Sequence, residues 1–103
     1  DQRRRLLAHA PLEKYTAKTI TQLDRLEREV ERVRKDGYAL DDEEFLPGLL
    51  CIAVPVPSAN GTSNLGVAVQ APSLRLTVAK AKQLLPALRR AAAALGRIDA
   101  ETP

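Results

Sequence analysis

The sequence predicts an α+β domain in which an antiparallel sheet is flanked by helices. Apolar residues recur every three or four positions in two long segments, as they do along one face of a helix. Two shorter segments between them alternate bulky and small side chains, which is typical of strands. With 103 residues, 45% of them hydrophobic and 28% charged, the chain has the size and composition of a single folded domain with a modest core.

Two helices are predicted before the first strand. Residues 1–8 have the pattern of a helix end whose three arginines spread around its circumference, which favours a solvated face over a phosphate site. Residues 21–37 form the clearest helix, with Thr21 and Asp24 as a capping box and Gly37 as a left-handed C-cap. Five acidic and five basic side chains cancel on its outer face, which argues against a helix that contacts a DNA groove. Its apolar stripe, which we expect to face a core, consists of Leu23, Leu26, Val30 and Val33.

Turn signals divide the centre of the chain into three predicted strands. Pro47-Gly48 marks a turn before the second strand, and Asn60-Gly61 marks a turn within the loose loop PSANGTSN that follows it. Because two strands and a short third leave sheet edges exposed, we expect further strands before Asp1, or a second chain, to complete the sheet. The predicted strands cover residues 37–41, 49–56 and 65–71.

The last helix is predicted at about residues 78–95, with Thr77 as its N-cap and Gly96 just beyond its end. Pro86 removes one backbone donor and should kink this helix. Its apolar residues fall within one arc of about 120°. A basic flank lies beside the arc and is expected to be solvated, with an anionic partner as the alternative. The arc consists of Val78, Ala81, Leu84, Leu85, Leu88, Ala92 and Leu95, and the flank of Lys82, Arg89, Arg90 and Arg97.

Alternation divides the strand pair into a bulky face and a small face, because successive side chains of a strand point to opposite sides. Pairing like with like sets Cys51 opposite Gln70 and Ala53 opposite Ala68. We expect the long helices to cover the bulky face. The small face leaves room either for a closely packed element or for a pocket whose polar points are Cys51 and Gln70. On the bulky face lie Leu50, Ile52, Val54, Val56, Leu65, Val67 and Val69, and on the small face Leu49, Cys51, Ala53, Pro55, Gly66, Ala68 and Gln70.

Composition excludes several classes of function. The chain has one cysteine and one histidine, which excludes an internal disulfide and a Cys/His zinc site, and we expect no metal and no cofactor. No apolar run reaches the roughly 18 residues of a membrane span and no signal peptide is visible, so we expect a cytoplasmic protein without membrane contact. Catalysis by Cys51 with help from the acidic residues 41–43 would need a base such as His9, which lies far away in sequence, so we expect no enzyme and no catalytic residue.

The order of features across nearly the whole chain resembles the effector-binding domain of IclR-type bacterial transcriptional regulators. The resemblance runs from YTAKTIT through a charged helix that ends in RKDGYALDDEEFLPGLLCIAVPV to PSLRLT and a closing helix. It implies a GAF-like or profilin-like domain whose antiparallel sheet cups a small organic effector. It also implies that residues 1–103 are the C-terminal portion of one such domain. The first strands and the N-terminal winged helix-turn-helix have no counterpart here, and the absence of methionine agrees with that expectation.

The resemblance implies five effector-binding positions and no DNA-binding residue in this chain. Serines are frequent in the family at the places of Ala68 and Gln70, so we expect the polar part of the site to be smaller or differently aimed. We expect Asp41 to turn towards the ligand and residues 42–44 to solvate the turn. The implied positions are Asp41, Leu49, Cys51, Ala68 and Gln70.

The function that the resemblance implies is ligand sensing in a DNA-binding regulator. A small organic acid or an aromatic metabolite would favour one arrangement of a homodimer or homotetramer, and so alter operator affinity through the DNA-binding domain. The alternative is a structural oligomerisation module whose pocket is closed.

Overall fold

The computed structural model describes residues 2–61 and 64–101. In these residues three strands form one antiparallel sheet in the order β1-β2-β3, with helices before and after it. The predicted α+β class is confirmed, and the ends of the predicted strands move by no more than two residues. The elements are α1 (Gln2–Ala8), α2 (Leu23–Asp36), β1 (Ala39–Asp42), β2 (Leu49–Pro55), β3 (Gly66–Pro72), α3 (Val78–Gln83) and α4 (Leu85–Glu101).

The core lies between the bulky face of β2 and the two C-terminal helices. Leu50 and Ile52 are 1% and 0% exposed, and helices α3 and α4 both contact β2. The prediction that helices cover this face is therefore confirmed for α3 and α4. The buried cluster consists of Leu50, Ile52, Val54, Val56, Leu76, Ala81, Leu88 and Ala92.

Helix α2 differs from the prediction at its start and in its burial. It begins at Leu23 with Gln22 as N-cap, and the Gln22 side chain makes no capping hydrogen bond. The prediction of a capping box formed by Thr21 and Asp24 is therefore wrong. No residue of α2 is buried, and none belongs to the core cluster, because α3 and α4 already occupy the bulky face of the sheet. The apolar stripe of α2 is thus only half-buried in the part of the chain that the structure describes.

Two predicted glycine turns are confirmed. Gly37 ends α2 with φ of 76°, and its N–H donates to the Val33 carbonyl at 2.7 Å. Gly61 has φ of 79°, and its N–H donates to the Ser58 carbonyl at 3.1 Å, which closes a turn whose central residues are Ala59 and Asn60. The predicted loop also includes residues 62–63, which lie outside the described residues.

The predicted last helix is two helices that meet at Leu84. The Oγ1 of Thr77 accepts a hydrogen bond from the Lys80 N–H at 3.2 Å, so the predicted N-cap is confirmed. Pro86 lies in the first turn of α4, where a backbone N–H would have no partner within the helix. In place of the expected kink, the helix is interrupted at Leu84, just before Pro86. Leu95 at the end of the predicted arc stays 43% exposed, beyond Ala92, the last core residue on α4.

Gly96 does not end the helix, contrary to the prediction, because α4 continues to Glu101. A Cβ atom placed on Gly96 would lie 2.9 Å from the carbonyl oxygen of Pro57. The glycine therefore lets α4 approach the backbone that follows β2, and its role is one of close packing between two segments.

We expect Gly96→Val to destabilise the fold by about 1–3 kcal/mol, since the new side chain meets a backbone atom that cannot rotate away. Urea denaturation of both proteins measures the change. Ala91→Val, at an exposed position of the same helix, isolates the cost of a β-branched residue in α4. Equal losses in the two variants would contradict the packing role of Gly96.

No helix in residues 2–61 and 64–101 is long and apolar enough to cross a lipid bilayer.

Candidate functional site

The small face of the sheet is an open floor arranged in rows across the strands. Asp41, Cys51 and Gln70 are direct cross-strand partners and form one row. The adjacent row on one side contains Ala68, and the row on the other side contains Leu49. The pairings predicted for Cys51 and Ala53 are confirmed, and the structure brings all five implied positions onto one face.

Exposure distinguishes this face from the core. Leu49 and Cys51 are half-buried, whereas Ala68 and Gln70 are exposed, so no closely packed element among the described residues fills the floor. Leu40, which precedes Asp41, packs against the core, and alternation therefore directs Asp41 to the opposite, small face.

Asp41 supports the turn that follows β1 and retains further acceptor capacity. Its Oδ1 accepts a hydrogen bond from the Glu44 N–H at 2.8 Å. Its second oxygen has no hydrogen bond from the residues that the structure describes. Since an ionised carboxylate only accepts hydrogen bonds, this oxygen is suited to a hydroxyl or an amine of a ligand.

Cys51 has the environment of a neutral thiol. Burial raises the pKa of the Cys51 thiol, and the nearby charge of Asp41 raises this pKa further. A raised pKa favours the protonated thiol, which is a poor nucleophile. In residues 2–61 and 64–101, no group of three or more His, Cys, Asp or Glu side chains is placed to hold a metal ion.

The acidic turn after Asp41 is held by its own side chains, so the expectation that residues 42–44 solvate it is wrong for Glu43 and Glu44. Glu43 has φ of 58°, and its carboxylate accepts hydrogen bonds from the Gly48 N–H at 2.6 Å and from the Lys18 Nζ at 3.4 Å. These two donors, the Gly48 N–H first, lower the pKa of Glu43. Glu44 is half-buried, and burial raises the pKa of its carboxyl group. The hydrogen bonds to its carboxylate support Glu43 in its left-handed backbone conformation, which is unfavourable for a residue other than glycine.

The segment YTAKT fastens this turn to the rest of the molecule. Thr16 Oγ1 donates to the Glu43 carbonyl at 2.6 Å, and Thr19 Oγ1 donates to the Glu44 carbonyl. Thr19 Oγ1 also accepts from the N–H groups of Tyr15 and Thr16, at 3.1 and 2.9 Å. The structural role of these threonines could not be predicted from the sequence, because their hydrogen bonds to the turn join residues 27 and 25 positions apart. We call Thr16 and Thr19 the threonine clamp.

We expect Thr19→Val to destabilise the turn by about 1–3 kcal/mol, because the variant leaves two N–H groups without their hydroxyl partner and the Glu44 carbonyl with only the longer bond from Thr16, at 3.4 Å. Amide hydrogen exchange of residues 43–48, together with thermal unfolding, measures the effect. Thr21→Val is the matched control, since Thr21 is exposed and its side chain makes no hydrogen bond to the described residues. Unchanged exchange in Thr19→Val would contradict the clamp.

The sequence of this chain matches a known protein family over almost its whole length. A model of the C-terminal region of the bacterial transcriptional regulator IclR matches residues 1–97. The chain belongs to the IclR family of bacterial transcriptional regulators. The resemblance seen in the sequence is thereby confirmed.

The curated relatives that were compared are all named as regulators or repressors, and none of them is named as an enzyme. BhcR of Paracoccus denitrificans, named as a transcriptional regulator of the helix-turn-helix type, is 36% identical over 89 residues. The match covers 86% of this chain and 32% of BhcR, so the chain spans about a third of the length of this relative. The names agree with the expectation that a member of this family is not an enzyme.

Solved IclR-family structures share the fold. The C-terminal domain of the Escherichia coli regulator KdgR superposes with a TM-score of 0.85 at 31% identity, over 94% of this chain and 59% of that one. The inducer-binding domain of PobR from Acinetobacter, a double mutant in complex with 3-hydroxybenzoic acid, superposes with a TM-score of 0.84 at 28% identity, over 92% of this chain and 56% of that one. The predicted fold of an effector-binding domain is therefore confirmed.

Proposed function

We propose that this chain senses a small organic effector, which binds over the row of Asp41, Cys51 and Gln70, with Leu49 and Ala68 beside it. The observation that carries the proposal is that these five positions share one open face of the sheet, while the opposite face holds the core. Polar points on a mostly apolar floor are the usual composition of a small-molecule site.

The effector class that we propose is a small organic acid or an aromatic metabolite. The complex of the PobR inducer-binding domain with 3-hydroxybenzoic acid supports this class. The free oxygen of Asp41 would accept a hydrogen bond from a hydroxyl group, and the Gln70 amide can donate or accept. The neutral thiol of Cys51 contributes a small, weakly polar wall.

The regulatory mechanism that we propose is a shift between two arrangements of a homodimer or homotetramer. The effector favours one arrangement by binding it more tightly, typically by about 1–3 kcal/mol, and DNA affinity changes by the same coupling. The chain covers 59% of the KdgR C-terminal domain, which supports residues 1–103 as a portion of one effector-binding domain, and we propose that it is the C-terminal portion. We propose that DNA is bound by an N-terminal winged helix-turn-helix of the parent protein, in the bacterial cytoplasm.

The test is ligand binding by the full-length protein that contains this chain. A panel of 3-hydroxybenzoic acid, linear ω-hydroxy acids of four to eight carbons and the primary amide of each is screened by thermal shift and titrated by calorimetry. We expect at least one acid to bind, and Gln70→Leu to weaken it about 10-fold by removing a polar partner.

Gln83→Leu is the matched control, because Gln83 is exposed on α3 and α3 packs on the opposite face of the sheet. This variant should bind as the unmodified protein does. If no acid or amide of the panel binds, the sensing role is rejected in favour of an oligomerisation module.

A further inference from the structure

The C-terminal end of α2 lies at the edge of the sheet, where the Asp36 carbonyl accepts a hydrogen bond from Arg89 of α4 at 3.2 Å. A cavity of about 400 Å³ lies between this helix end and the sheet, within the range of small-molecule sites. Its floor includes Ala39 and Ala53, which are cross-strand partners in the row next to that of Asp41 and Cys51. The cavity therefore opens directly beside the implied effector positions. Its lining consists of Val33, Arg34, Gly37, Ala39, Ala53, Val54 and Pro55.

The five implied positions alone provide little that could hold an acid. Asp41 carries a negative charge that repels a carboxylate, and the Cys51 thiol is a weak donor. Leu49 and Ala68 have no polar side-chain atom, which leaves the Gln70 amide as the good side-chain donor among these positions. A carboxylate placed at this row would lose its water and gain few partners, which is unfavourable.

Arg34 supplies the missing charge at the wall of the cavity. It lines the cavity and makes no ion pair or side-chain hydrogen bond with any residue that the structure describes. By contrast, Arg28 and Arg32 on the same helix pair with acids, and Lys18 beside the acidic turn pairs with Asp42 and Glu43. A guanidinium binds a carboxylate through two parallel hydrogen bonds, so Arg34 is chemically suited to an acid.

We infer that Arg34 binds the carboxylate of the effector, while the opposite end of the effector donates a hydrogen bond to Asp41. This assignment rests on the proposed sensing function and adds the orientation of the ligand to it. Residues on one face of a strand are about 7 Å apart, so the floor of the cavity, at Ala39 and Pro55, lies about 7–13 Å from the row of Asp41. The effector is then an acid with a hydroxyl or amino group at its far end, long enough to reach from the cavity to the row of Asp41.

The experiment compares Arg34→Met and Arg34→Lys with the unmodified full-length protein against the same panel of acids and amides. We expect Arg34→Met to bind the acid 10- to 100-fold more weakly, because it keeps the length of the side chain and removes the charge. Arg34→Lys should lose less than 10-fold, since it keeps the charge without the two-pronged geometry. Binding of the matched amides should change less than 3-fold in either variant.

Lys35→Met is the matched control, because the neighbouring Lys35 is exposed on the same helix and does not line the cavity. It should leave acid binding unchanged, which separates local contact from net charge. If an acid binds to Arg34→Met as tightly as to the unmodified protein, or if amides bind better than acids, the role of Arg34 is wrong and the sensing function stands. If neither acids nor amides bind the unmodified protein, the sensing function and this inference are both rejected.

Discussion

Ile52→Ala is expected to destabilise the domain by about 3–5 kcal/mol, which is a large share of the free energy of unfolding of a chain of this size. Ile52 is 0% exposed and lies at the centre of β2, with Leu40 paired to it on one side and Val69 on the other. Truncation removes apolar contacts and leaves a cavity that two paired backbones prevent from closing. Urea denaturation followed by circular dichroism measures the loss.

Two further variants keep this prediction measurable. Ile52→Val removes one methylene group and should cost about 0.5–1.5 kcal/mol, so it reports the same site if the alanine variant does not fold. Leu74→Ala should have an effect below about 0.5 kcal/mol, because Leu74 is 96% exposed. Similar losses for Ile52→Ala and Leu74→Ala would contradict the assigned core.

Ala68→Phe is expected to abolish effector binding, with at least a 100-fold loss of affinity for any acid that binds the unmodified protein. Ala68 is exposed on the small face and pairs with Ala53, whose other neighbour Ala39 also lines the cavity. A phenyl ring at this position would occupy the floor between Gln70 and that cavity. Stability should change by less than about 0.5 kcal/mol, because the alanine is not packed against other residues of the core. Calorimetric titration and thermal unfolding together measure both quantities.

Ala79→Phe serves as the control for Ala68→Phe, since Ala79 is exposed on α3, which packs on the opposite face of the sheet. It should bind the acid as the unmodified protein does. Undiminished binding in Ala68→Phe would place the effector elsewhere.

The strands and their two faces could be predicted from the sequence because a period of two is a local property of the chain. The same alternation predicted that Cys51 lies opposite Gln70 and that Ile52 belongs to the core, before any contact between strands was known. The identity of the effector positions came from the family resemblance, which alternation could support but not supply.

The features that sequence analysis missed depend on contacts between distant segments. Gly96 was taken as a helix end, because nothing in the neighbouring residues predicts the approach of α4 to Pro57. The threonine clamp joins residues 16 and 19 to carbonyls more than 20 positions away. The stripe on α2 was predicted to face a core, but an amphipathic pattern does not indicate which surface is available to cover it.

The central strand β2 places buried core residues and the positions of the proposed effector site alternately along one seven-residue segment. Its even-numbered residues are buried against the helices, and its odd-numbered residues lie on the small face of the sheet. If the proposed sensing function holds, a substitution at Cys51 or Ala53 changes which ligand is bound while the buried neighbours keep the sheet and helices together. Such a strand would let new ligand specificities arise by single substitutions in a protein that remains folded throughout.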